Sequence, residues 1–199
     1  EELGLLLAGD LQNQCTASSQ GLTGVPAPFL GLFGACSTMV EGLGIGMLAL
    51  SGAEALTTAA AVTSSHNAAA ERQFRTPLEY GAQRSPTAQW TVTGSGAFII
   101  GEGGKALIKE AMAGIVIDKG VSDAANMGAA MAPAAFDTIN EFFKETSTSP
   151  SDFDLIVTGD LGFVGSKLMP ELMEREGVPL GENYNDCGLM LFDREKLQV

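Results

Sequence analysis

Phe29-Leu30-Gly31-Leu32-Phe33-Gly34-Ala35-Cys36-Ser37-Thr38 is the stretch that decides the fold. The apolar run Phe29–Phe33 enters a turn of small residues at Gly34-Ala35. From Met39 to Leu50 the apolar residues then recur at roughly helical spacing. The pattern predicts strand, tight turn, helix, with the Cys36 thiol at the turn. A helix N-terminus carries partial positive charge and unpaired N–H groups, which favour a thiolate or a bound anion. Enzymes that handle acyl groups use cysteines in such a setting as nucleophiles.

Working outward, strands and helices alternate. Leu3–Ala8 reads as a strand, Leu11–Leu22 as loop and helix, Phe29–Phe33 as a strand, Ser37–Leu50 as a helix and Leu56–Thr63 as a strand. Ser64–Arg84 is polar and irregular. Trp90–Thr93 and Gly96–Ile100 read as strands separated by Gly94-Ser95, and Gly101–Gly104 as a turn. Ala106–Asp118 reads as a β-type segment, Ala124–Glu145 as a helix and Ser147–Ser151 as a linker. Phe153–Thr158 reads as a buried strand, Val164–Glu176 as a helix and Cys187–Phe192 as a last strand. Alternating elements with apolar strands imply α/β layers with covered sheets.

Composition narrows the function. The 199 residues are enough for one large domain or two small ones. A net charge of −13 argues against a nucleic-acid surface, since phosphate binding needs basic patches. Three cysteines without paired spacing argue against a disulfide framework and for a reducing compartment. No apolar run reads as long enough to span a bilayer, and no basic-then-apolar signal opens the chain. The chain opens without Met, on what reads as a helix end leading into a strand, and is expected to be truncated. No His/Cys cluster has zinc spacing and no calcium loop appears.

Each candidate residue has a plain structural alternative. Cys36 reads as a nucleophile-type thiol or a small buried hydrophobe, and Cys15 and Cys187 as packing residues. His66, the only histidine, reads as a pocket residue or a hydrogen-bonded structural one. Arg72, Arg75 and Arg84 read as a fork for a carboxylate or as surface partners of Glu71 and Glu79. Asn126-Met127-Gly128 opens a Pro-containing segment and offers backbone N–H groups to an anion.

Gly34-Ala35-Cys36-Ser37-Thr38 resembles the nucleophile turn of the thiolase and β-ketoacyl synthase superfamily. Ala61–His66, Ala70–Arg75, Pro86–Gly94, Asn126–Ala135, Val157–Gly162 and Asn183–Gly188 resemble the stage V sporulation protein AD family. That resemblance runs through almost the whole chain. It implies a thiolase-like layered αβαβα fold, incomplete at both ends, with part of one half in residues 1–105 and part of the second in 106–199. It implies binding of dipicolinic acid (pyridine-2,6-dicarboxylate), as the free diacid or its calcium complex, with no other cofactor. The implied setting is the forespore and the spore inner membrane, where the protein would be a peripheral partner of membrane subunits that move the diacid in during sporulation and out at germination. Thiolase-like proteins also commonly pair, here through strands near Thr91–Thr93 or Leu56–Thr63, so a homo-oligomer is expected.

The departures from the enzyme pattern matter as much. Ketoacyl synthases end a late strand in a histidine; by resemblance Gly159 stands there. Gly has no side chain to move a proton. A carboxylate at Asp160 would oppose a developing oxyanion. Asn185 falls near the second expected polar position. The expected ligand-binding set is therefore Cys36, His66, Arg72, Arg75, Asn126, Met127, Asp160 and Asn185, with no catalytic residue assigned. Two alternatives stay open: an acyl-transfer or condensing enzyme with Cys36 as nucleophile, and a structural subunit of a membrane-associated complex.

Overall fold

A computed structural model describes residues 2–11, 15–66 and 87–193. They fall into two compact units, one within residues 1–70 and 91–111, the other within 71–90 and 112–199.

The first unit is organised by β1, Leu5–Asp10, whose six residues are all buried. A strand buried on both faces cannot alternate polar and apolar residues, which is why LLLAGD reads as a continuous run. β1 pairs in parallel with β2 (Phe29–Gly31) and with β3 (Thr58–Ser65). β3 then pairs antiparallel with β4 (Gly94–Gly101), in the order β2-β1-β3-β4. Helix α1, Thr16–Gly21, follows β1, and α2, Thr38–Gly52, follows β2. Three glycines inside α2 each weaken it by about 1 kcal/mol relative to Ala, but two of them let it lie close on the sheet. A Cβ on Gly42 would sit 3.0 Å from the Ala61 Cβ, and one on Gly46 3.7 Å from the Ala59 Cβ. Four residues forward along α2 thus match two residues backward along β3. The helix runs antiparallel to the strand, and its first turn points toward Thr63–Ser65 at the carboxyl end of the parallel strands.

Residues Ala35–Gly52 are long and apolar enough, by length and composition, to cross a membrane, with a mean hydropathy of 1.3. This corrects the expectation that no run reaches that length. In the fold the segment's small-residue face lies on β3 and β1.

Other expectations change as well. Trp90–Thr93 is not a strand, and Gly94-Ser95 begins β4 rather than separating two strands. Ala106–Asp118 forms no strand: Leu107 is 80% exposed and Val116 98%. Its β-branched residues favour extended backbone, but a strand needs a ladder partner. Leu56–Thr63 corresponds to β3, which has β1 on one side and β4 on the other. It therefore has no free edge through which a second copy could pair.

The second unit is built on α3 (Met127–Thr146) and α4 (Gly162–Arg175). Gly128 and Gly165 let them touch: a Cβ on Gly165 would lie 2.7 Å from the Gly128 carbonyl oxygen. Phe143, Leu161, Met169 and Met173 form the buried core, with Phe153 and Tyr184 packed against it. The polar Ser147–Ser151 stretch is a tight turn within this unit. Ser147 ends α3 at φ 53°, and the Ser149 N–H and hydroxyl donate to the Asp152 carboxylate at 2.7 and 2.9 Å. Two short parallel strands, β5 (Ile156–Thr158) and β6 (Tyr184–Asp186), complete the unit. The expected strand Cys187–Phe192 is instead helix α5, Cys187–Leu191, because Asp186 caps it by accepting from the Gly188 N–H at 3.1 Å.

The close approach of α2 makes a test. Gly42→Val would drive branched carbons into Ala61 and into Leu32, whose Cδ1 lies 3.2 Å from the position of a Cβ. We expect a loss of about 1–3 kcal/mol from overpacking, read as a lowered Tm by circular dichroism.

Candidate functional site

Cys36 sits in a single 3-10 turn, Ala35–Ser37, between β2 and α2. The strand–turn–helix reading holds. Ala35 adopts φ 48°, a left-handed conformation that a residue with a Cβ rarely takes. Such strain costs on the order of 1–3 kcal/mol and clusters at functional sites. The turn is held by the Ser37 N–H and hydroxyl, both donating to the Gly34 carbonyl at 2.9 Å. Gly34 must be small, because a Cβ there would lie 2.9 Å from the Thr38 nitrogen and collide with the Glu41 carboxylate. Cys36 is exposed.

Around this turn lie polar groups that the sequence reading missed. Thr38 is 1% exposed. Its Oγ1, the Glu41 Oε2 and the Ser65 Oγ are buried without a hydrogen-bond partner among the described residues. Buried polar atoms of this kind take water or a ligand as partner. They lie at the carboxyl end of the parallel strands, where open α/β sheets bind ligands. On the α1 side of the same strand end, Asp10 is 2% exposed and accepts from the Ser18 N–H and hydroxyl at 3.1 and 3.0 Å. The one available sequence signal was an acid closing the LLLAG run. His66 follows β3 and is exposed at this end as well. Arg72 and Arg75, like Arg84, lie outside the described residues.

In the second unit two loops are tied together by Asp186, which is 0% exposed. Its Oδ2 accepts from the Thr158 hydroxyl at 2.7 Å and the Leu161 N–H at 3.0 Å. The Tyr184 hydroxyl lies 3.0 Å from the Thr158 hydroxyl. Asp160 Oδ2 accepts from the Trp90 N–H at 2.9 Å, and the Trp90 ring meets Phe192 with centroids 5.3 Å apart. The Asn185 Oδ1 accepts from the Asp186 N–H at 2.8 Å. Asn126 caps α3, its Oδ1 accepting from the Ala129 N–H at 3.3 Å, so that N–H is taken up internally. Met127 begins the helix, whose first turn abuts Leu161 through Gly128. The structure thus gathers Asn126, Met127, Asp160 and Asn185 around the Thr158–Gly162 loop of one unit, while Cys36 and His66 share one end of the other.

Burial pushes the Asp186 carboxyl above its ordinary value, against the hydrogen bonds from Leu161, Thr158 and Gly188 that lower it. Burial, then the neighbouring Asp186 and Asp160, pushes the Cys187 thiol up, which keeps it neutral. Burial likewise raises the Tyr184 phenol. No group of three or more metal-ligating side chains occurs among the described residues. A cleft of about 680 Å³, lined by residues including Met47, Leu50, Leu56 and Ile100, lies at the far end of α2 and contains none of the expected site residues.

The mixed, mostly parallel sheet with its flanking helices has a thiolase-like fold, shared with solved condensing enzymes. The chain is similar in fold to a tetronic acid condensing enzyme, at 16% identity and TM-score 0.59, covering 94% of this chain and 62% of that one. It is similar to β-ketoacyl-[acyl carrier protein] synthase III from Thermus thermophilus, at 15% identity and TM-score 0.52, covering 93% and 62%. A third likeness is 3-oxoacyl-[acyl-carrier-protein] synthase III from Aquifex aeolicus, at 12% identity and TM-score 0.54, covering 98% and 68%. At such identities the likeness is one of fold. A family model described as Stage V sporulation protein AD matches residues 1–199. The chain is 46% identical over 193 residues to the Stage V sporulation protein AD of Bacillus subtilis, covering 96% of this chain and 57% of that relative. The chain belongs to the stage V sporulation protein AD family.

The buried carboxyl of Asp186 has a pH signature. Its native pKa is raised, so between the unfolded and the native values the folded state binds the proton more tightly. This group's contribution to stability is therefore fully present below the unfolded value and is lost as pH rises through the native one. Asp186→Asn removes the titration. The wild-type Tm advantage over Asp186→Asn should shrink between pH 4 and pH 7; a constant difference counts against the assignment. Thr158→Val, which removes one donor to Asp186, should cost about 1–3 kcal/mol at either pH.

Proposed function

We propose that the protein binds dipicolinic acid and serves its uptake into the developing spore and its release at germination, on a thiolase-like scaffold without acyl-transfer activity. The observation that carries this reading is membership of the stage V sporulation protein AD family. The diacid is planar, with a carboxylate on each side of a ring nitrogen. Recognition calls for separated donors and a flat apolar slot. Within the second unit the exposed Asn185 amide is a polar group that supports this reading, and within the first, taken by itself, so are the orphaned atoms of Thr38, Glu41 and Ser65 at the strand end that carries Cys36. Arg72 and Arg75 are the proposed carboxylate fork. Dipicolinate is a ligand in this reading, taken free or with calcium, and Cys36 and His66 are binding residues.

The protein acts, in this proposal, in the forespore as a peripheral partner of membrane transport subunits, and as a homo-oligomer. β4 lies at a sheet edge with Phe98 and Ile99 exposed, which supports pairing there rather than through β3.

A second reading is supported by the exposed Cys36 and by the condensing enzymes among the fold's neighbours. It makes the protein an acyl-transfer enzyme. Against it stands Gly159 where such enzymes are expected to place a histidine, by resemblance. Losing a proton-handling group lowers rates by about a hundredfold to ten-thousandfold.

Isothermal titration with dipicolinate should give saturable heat, and coenzyme A release from acyl thioesters should stay at the level of the Cys36→Ala variant. No heat at millimolar diacid refutes the binding reading. Enzyme-like release that Cys36→Ala abolishes establishes the second reading.

A further inference from the structure

Gly159 differs from every other glycine in the described part of the second unit. Gly120, Gly162 and Gly177 have positive φ, which calls for glycine. At Gly114, Gly128, Gly165, Gly181 and Gly188 an added Cβ would run into a neighbouring atom at 3.0 Å or less. At Gly159 φ is not positive, and a Cβ would meet nothing within 4 Å among the described residues. Neither the backbone nor the packing asks for glycine there.

The surrounding loop is nonetheless held firmly. On one side Thr158 donates to Asp186. On the other, Asp160 accepts from the Trp90 N–H, and the Leu161 N–H donates to Asp186 and approaches the Gly159 carbonyl at 2.7 Å. The exposure pattern also fixes the direction of Gly159. Val157 is exposed, Thr158 buried and Gly159 exposed, so Gly159 continues the open face of β5. Val157 pairs with Asn185 in the ladder, and Asn185 is exposed on that face. Because the Asn185 Oδ1 accepts from the Asp186 N–H, the amide is oriented with its NH2 away from that bond. No acceptor among the described residues takes the two N–H groups of this NH2.

We infer that Gly159 is the specificity-determining position of the dipicolinate site, its missing side chain leaving the space in which one carboxylate edge of the planar diacid lies beside the Asn185 amide. This rests on the dipicolinate reading above and deepens it. The Asn185 NH2 donates to the carboxylate, Val157 walls the slot, and the bare backbone at Gly159 sets its width. A carboxylate needs donors, and a flat ring needs a face that no side chain interrupts.

The test is a substitution series in the full protein, with affinity and stability read side by side. Gly159→Ala and Gly159→Leu should keep the wild-type Tm within about 2 °C, since an exposed side chain in open space changes little. Dipicolinate affinity by isothermal titration should fall stepwise, by about tenfold or more in Gly159→Leu. Asn185→Asp keeps the acceptor for the Asp186 N–H but replaces the donors with negative charge, and should lose binding as well. If both Gly159 variants bind like wild type, the inference is overturned while the dipicolinate reading stands. If Tm falls in step with affinity, the glycine serves the fold and the inference is overturned too. If the wild type gives no heat, both fall together.

Discussion

The close approach of one glycine-bearing helix to a sheet of alanines positions the cysteine turn. Gly42 and Gly46 on α2 face Ala61 and Ala59 on β3 so closely that an added Cβ would lie 3.0 and 3.7 Å from the alanine Cβ atoms. Any larger pair would lift the helix off the sheet. Because the helix is pressed down and runs antiparallel to β3, its first turn ends over the carboxyl ends of β1 and β3. That placement carries Cys36, the strained Ala35 and the buried polar atoms of Thr38, Glu41 and Ser65 to one end of the sheet. The site geometry is thus a consequence of small-residue packing well away from the site itself.

The second unit reaches a comparable result by a different route. Its loops are short and polar, so they are organised by a buried acceptor rather than by close helix packing. Asp186 gathers a hydroxyl and backbone N–H groups from two chain segments about 25 residues apart. A carboxylate surrounded by donors on all sides fixes both loops at once. The same burial raises its pKa, so the group that orders the loops also makes their stability depend on pH. Asp160, taken from the sequence as a ligand residue, works alongside it by holding the Trp90 backbone.

Much of the fold was legible because it is written in local pattern. β1 declares itself as a continuous apolar run, α2 as a long apolar segment rich in small residues, and the amphipathic helices α3 and α4 by their periodicity. Two of the misreadings share one cause, which is that strand formation needs a neighbour. Ala106–Asp118 has the composition of a strand and no ladder, and Trp90–Thr93 likewise. Cys187–Leu191 has apolar residues suited to a strand, but a capping carboxylate just before it turns it into a helix. Of the candidate site, the strand–turn–helix around Cys36 was legible, whereas Asn126, expected within a helix from Ala124 in a segment offering backbone N–H groups to an anion, caps α3 and takes up one of those groups itself. Thr38, Glu41 and Ser65 were not, since nothing local distinguishes a buried hydroxyl or carboxylate from a solvated one.

The sequence by itself determined the α/β class, the strand–turn–helix around Cys36 and the family to which the chain belongs, because these rest on residue order and short-range spacing. Only the tertiary structure decided which polar atoms are buried without partners, which segments find a ladder partner, and that Asp186, outside the expected set, holds the second unit's loops together with Asp160. Those properties depend on what lies across from a residue in space. Burial and hydrogen-bond partnership are set by packing between segments far apart in the chain, and residue order alone does not carry them.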